Sequence, residues 1–183
     1  RNHEVSPGAD ASFSAFGADL SLVDQLDRSV FYDPGIGDTP AFGGTTTLLF
    51  DTQTQTLLSH HLSLVGTLVN CAGGPTPWGT WISCEEIVRS AGGSLAREHG
   101  YNFEVPASLE GLPVPATPLT AMGRFKHEAV AVDPSTGIVY QTEDLSDGLL
   151  YRFLPNSYGE LAQGGSLQAL AVRGDPSFDT RNF

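Results

Sequence analysis

The segment Asn70–Glu86, NCAGGPTPWGTWISCEE, holds the densest set of residue types that can do chemistry. Cys71 is followed by Ala72, Gly73 and Gly74, so no bulky neighbour keeps a metal ion from its sulfur. Gly73, Gly74, Pro75 and Pro77 predict a tight, rigid loop with no packing purpose, which Trp78 and Trp81 are expected to anchor by burial. The run closes on Glu85-Glu86, whose side chains point to opposite faces of a strand, so one of the two is expected to serve a given site. Cys84, inside an apolar strand, is expected to be a small buried hydrophobe. One thiolate with several carboxylates is a donor set for cations, hard oxygens accompanied by one soft sulfur.

Two His-Glu pairs, His3-Glu4 and His127-Glu128, each stand at the start of an apolar run. At equivalent places on neighbouring strands they would aim their carboxylates at one point, as a cation with several oxygen ligands requires. Glu143-Asp144 is a further acidic pair at a strand end, although solvated turn acids would look the same. Arg1, Arg124 and Lys126 flank the His-Glu pairs and could touch a phosphate; exposed strand-edge charges explain them equally well. No HExxH, G-x-S-x-G or G-x-x-x-x-G-K-S/T motif occurs, so zinc-peptidase, serine-hydrolase and P-loop chemistry are unsupported. Two cysteines cannot make a zinc site alone, and a disulfide between them stays open.

Short β-runs separated by turns must position these residues. Thr45–Phe50, Asp51–Gln55 and Thr56–His60 read as a hairpin, and Glu128–Val132, Asp133–Gly137 and Ile138–Thr142 as another. The second turn, Asp-Pro-Ser-Thr-Gly, sets one dihedral with Pro134, bonds its own backbone through Asp133 and reaches positive φ at Gly137. A second echo pairs WISCEE and the following YNFEVP with VYQTED and YRFLP. Such repetition predicts an all-β fold, a β-propeller in part. Phe16–Arg28 is expected to carry a short helix, since Leu20, Val23, Leu26 and Val30 follow its spacing, and Glu104–Met122 a surface loop crossing between blades.

The 183 residues carry 9 Lys+Arg against 21 Asp+Glu, a formal charge of −12. Without a basic cluster this is no nucleic-acid footprint, and abundant carboxylates suit cations instead. The 21 glycines and 12 prolines exclude a long helical bundle, and no apolar run is long enough to span a membrane as a helix. Opening on RNHEV and ending on DTRNF, the sequence is expected to be an internal piece, residues 1–183 forming one partial domain of a larger chain.

The Cys-Ala-Gly-Gly run, GRFKHEAVAVDPSTGIVYQTED, the opening RNHE, the GGTTTLLFD strand and the exit YRFLP together resemble the PhoX-type alkaline phosphatase family of bacteria. The resemblance implies a six-bladed β-propeller, of which this chain would hold about two to three blades with long inter-blade loops. It also implies a cluster of Fe(III) and Ca²⁺ at the channel mouth and hydrolysis of small phosphate monoesters. A monomer exported to the periplasm or beyond is implied as well. Cys71 matches the iron-binding thiolate, Glu86 or Glu85 and Glu128 the carboxylates, while Glu4 and Asn2 are expected near calcium. Competing expectations are a calcium-dependent propeller lactonase or phosphotriesterase, which needs no thiolate, and a non-catalytic propeller binding module.

Overall fold

A computed structural model describes residues 1–9, 13–37, 39–111, 113–175 and 177–179. Its regular structure is β throughout, with only single 3-10 turns between strands among the described residues. Strand β1 (Asn2–His3) pairs antiparallel with β2 (Gly43–Asp51), which returns through a long hairpin as β3 (Thr56–Thr67). A second meander comprises β4 (Asn70–Pro75), β5 (Thr80–Glu85) and β6 (Asn102–Pro106). The third comprises β7 (His127–Val132), β8 (Val139–Glu143), β9 (Leu150–Pro155) and β10 (Gly165–Ala169).

The inner strands of the three meanders lie side by side. Gly73 of β4 bridges Ala129 of β7 in parallel, and the Asn2 amide on β1 donates to the carbonyls of Cys71 and Ala72. Antiparallel meanders joined through neighbouring inner strands are blades of a β-propeller, and three of them stand here in succession. Sequence-adjacent strands pair within each blade, as short connections favour.

Buried side chains sit between blades. Ile82 and Cys84 of β5 pack with Leu119, Met122, Val130, Val139, Phe153 and Leu161. Tyr32 and Leu64 pack with Phe103 and Val105, joining the first blade to the second. Each buried aliphatic or aromatic side chain contributes about 1.5–3 kcal/mol. The tip of the β2–β3 hairpin is different: Leu48, Leu49, Phe50, Leu57 and Leu58 are exposed.

Both predicted hairpins form, each on an Asp-led turn. Asp133 accepts from Ser135 N, Ser135 Oγ and Thr136 Oγ1, and Gly137 takes φ 74°. Asp51 accepts from Gln53 N and Thr54 N, but Gln55 stands where the other turn has glycine, at φ 54°.

Four expectations need correction. Phe16–Arg28 forms no α-helix: a 3-10 turn at Val23–Gln25 ends at extended Leu26, and Asp27 caps the next turn through Ser29 N at 2.8 Å. Its apolar residues still face the core, so the spacing reports burial rather than helix. The residues after Cys71 are a bulged strand rather than a loop, and their glycines do serve packing. A Cβ on Gly73 would lie 1.9 Å from Ile82 O, and one on Gly74 2.3 Å from Val130 O. The backbones of β5 and β7 press against β4 there, which only glycine permits. Trp78 is anchored, packing against the core and donating to Glu104 at 2.6 Å, whereas Trp81 is 39% exposed. The segment after β6 also does more than cross the surface, because Leu119 and Met122 are buried.

Candidate functional site

Cys71 lies on β4 between the two His-Glu strands. In both pairs the alternation of a strand sends the imidazole inward and the carboxylate outward. His3 and His127 are buried, while Glu4 and Glu128 are exposed. His3 pairs with Thr46 Oγ1 at 3.1 Å. His127 stacks on Phe125 and is held neutral by burial, its pKa lowered to about 4. The negative charges of Glu4 and Glu128 act on Cys71 and Cys84 respectively, so the outward carboxylates flank the cysteine strand.

Cys71 and Cys84 face each other across β4 and β5, yet both are free thiols. Cys84 is fully buried in the interblade core, as its apolar surroundings predict. Cys71 is half-buried, and desolvation together with a hydrogen bond to Glu86 raises its pKa to about 11. Residue 86 continues beyond β5 on the same face as Cys84, which brings it to Cys71.

Glu86 in turn meets Asp144, the second acid of the other pair. Burial and the neighbouring Asp144 raise the pKa of Glu86, while hydrogen bonds from Glu86 and Lys126 lower that of Asp144. The two acids are hydrogen-bonded to each other, and the shifts run in opposite directions because Glu86 is the more buried and Asp144 the closer to Lys126. Lys126 Nζ lies 3.0 Å from Asp144 O, 3.3 Å from Asp144 Oδ2 and 3.8 Å from Glu86 Oε1. Asn2 supports the strand beneath: it bonds the Cys71 and Ala72 carbonyls and accepts from Ser83 Oγ at 3.1 Å.

The remaining expected residues are engaged elsewhere. Glu85 is fully buried and accepts from Leu68 N, His99 Nδ1, Gly100 N and Tyr101 N at 2.7–3.2 Å. Glu143 accepts from Leu149 N and Tyr151 Oη, closing the loop between β8 and β9. Arg124 is turned to the carbonyls of His99 and Arg89 and to the Glu98 carboxylate. Nothing in the sequence singles out Asp33 and His99. Asp33 reads there as an ordinary turn aspartate before Pro34-Gly35, and no local pattern joins it to a histidine 66 residues away.

The donor chemistry around Cys71 fits a cation in kind: one thiol and two carboxylates stand together, a soft sulfur beside hard oxygens, with a single ammonium, Lys126, near the carboxylates. The geometry is a chain, Cys71 to Glu86 to Asp144, and among the described residues no three such side chains converge to hold an ion. The fit is thus to part of a coordination shell.

Residues 43–181 match the family of alkaline phosphatase PhoX. A solved structure of Pseudomonas fluorescens PhoX in complex with vanadate, a transition state analogue, aligns at 20% identity and a TM-score of 0.45. That alignment covers 69% of this chain and 31% of that one. No curated protein matches. With more than half its length matched by the family, the chain belongs to the PhoX alkaline phosphatases.

Proposed function

We propose that this chain supplies one side of a metal-dependent phosphomonoesterase site, with Cys71, Glu86 and Asp144 as its centre. Glu4, Glu128 and Asn2 on the flanking inner strands complete its donors. The observation that carries this reading is the hydrogen-bonded chain of thiol and carboxylates beside Lys126, set between two outward carboxylates in a chain of this family.

Fe(III) and Ca²⁺ held there would bind phosphate oxygens and offset the charge that grows in the transition state. Cys71 must release its proton to serve as a ligand, so ligation and deprotonation are linked. Lys126, released from Asp144, can turn its ammonium toward a phosphate oxygen. Arg124 would reach the phosphate only by leaving the His99 and Arg89 carbonyls. Glu85 and Glu143 bear the structural roles already described. With a net charge of −12, bound cations are needed to reverse the local field for an anionic substrate. We assign the working protein to the periplasm or the exterior, in keeping with its family; no described helix is long and apolar enough to cross a membrane.

The test is hydrolysis of p-nitrophenyl phosphate at alkaline pH by the full-length protein, with calcium and after chelation. Calcium-dependent turnover, together with iron lost in Cys71→Ala, is the expected result. No turnover by protein loaded with both metals would overturn the reading. A silent Cys71→Ser with activity on a lactone or phosphotriester would favour the calcium-dependent alternative instead.

A further inference from the structure

Outside the cysteine cluster, the most strongly connected group of ionisable side chains is the buried triad Asp33–His99–Glu85. All three side chains are fully buried. His99 Nε2 lies 3.0 Å from Asp33 Oδ2, and His99 Nδ1 lies 2.7 Å from Glu85 Oε1. Each ring nitrogen faces a carboxylate, so the imidazole serves both only by donating twice, as an imidazolium. The carboxylates bind backbone as well. Asp33 accepts from Gly35 N, Ala96 N and Arg97 N, and Glu85 from Leu68 N, Gly100 N and Tyr101 N.

The triad reaches the candidate site by two routes. Glu85 immediately precedes Glu86, whose own N–H is held by Val69 O at 3.0 Å. On the other side, the His99 carbonyl accepts from Arg124 Nε at 3.1 Å, and the Gly100 carbonyl from Phe125 N at 3.2 Å. Lys126 follows directly. One buried charge cluster therefore clamps the backbone before the carboxylate and before the cation that meet over Asp144.

We infer that Asp33, His99 and Glu85 are positioning residues that hold Glu86 against Cys71 and Lys126 against Glu86 and Asp144. The catalytic consequence rests on the proposed phosphatase reading; the effect on Cys71 does not. A structural staple serving only the fold would act on the whole blade, whereas a positioning device acts first on the site.

The two cysteines separate these cases. In metal-free full-length protein, iodoacetamide labelling of Cys71 reports the site, and labelling of Cys84 reports the core between the blades. In His99→Gln and in the milder Asp33→Asn, Cys71 should be alkylated about tenfold faster while Cys84 stays protected. In the metal-loaded variants, kcat for p-nitrophenyl phosphate should fall about tenfold with KM nearly unchanged. Cys84 reacting in step with Cys71 in both variants, or an unchanged Cys71 rate, would overturn the inference. If the wild type proves to have no phosphatase activity, the proposed function fails and the labelling result still decides this one.

Discussion

The acidic pairs Glu85-Glu86 and Glu143-Asp144 end corresponding strands of neighbouring blades, and they divide their roles alike. In each, the first acid accepts hydrogen bonds from backbone and from one side chain: Glu85 from three backbone N–H groups and His99, Glu143 from Leu149 N and Tyr151 Oη. In each, the second acid turns outward to meet its counterpart, Glu86 to Asp144, with Lys126 beside them. The pairs differ in depth. Glu85 is sealed in the interior, whereas Glu143 is half-buried. Strand alternation makes this division available, and burial sets how much each first acid matters to the fold.

Exchanging the acids tests that division. Glu85→Gln should be the most destabilising change, about 3–5 kcal/mol, because it leaves buried donors and the His99 charge without their partner. Urea unfolding would show it, and a loss below about 1 kcal/mol would dissolve the contrast between the two members of the pair. Glu86→Gln should leave the fold intact and reduce phosphatase activity about a hundredfold, equivalent to about 2.7 kcal/mol in the barrier. It should also raise stability slightly at neutral pH, since a carboxyl whose folded pKa is raised destabilises the fold once it ionises. Equal activity in the two glutamine variants would refute the assignment of Glu86 over Glu85.

The pH dependence of stability separates the blades further. The Glu85 and Asp33 carboxylates outweigh burial and raise the pKa of His99. Its contribution is therefore complete below its unfolded value of about 6.5 and is lost as pH rises through the higher folded value. Denaturation midpoints of the wild type should fall as pH rises above about 6.5, and this slope should be absent in His99→Gln. Asp33 acts oppositely: hydrogen bonds from His99, Gly35, Ala96 and Arg97 outweigh burial and lower its pKa, so its contribution is lost at acid pH. The smallest effect belongs to the other blade, where Glu143→Gln should cost about 1 kcal/mol through its two hydrogen bonds. A cost equal to that of Glu85→Gln would show that burial does not distinguish the two.

Local order was legible in the residues themselves. The Asp-led turns, alternation along the strands and duplication of the acidic pairs are short-range properties, set by dihedral preference and by a period of two. They placed the hairpins and Cys84 in the core. The same local view failed where another strand intruded. Glycines 73 and 74 looked like a free loop because the carbonyls that crowd them belong to Ile82 and Val130. The spacing of Leu20, Val23, Leu26 and Val30 reported a buried face correctly, but Asp27 divides the segment into separate turns.

The sequence by itself determined that the chain is β-rich, acidic and built of repeated hairpins, with one accessible cysteine among carboxylates. Only the tertiary structure decided which acid of each pair turns outward, that Lys126 sits over Glu86 and Asp144, and that Asp33 and Glu85 enclose His99. Those choices depend on contacts between residues far apart in the chain. Their free energy comes from burying charge and backbone donors together, which no local pattern records.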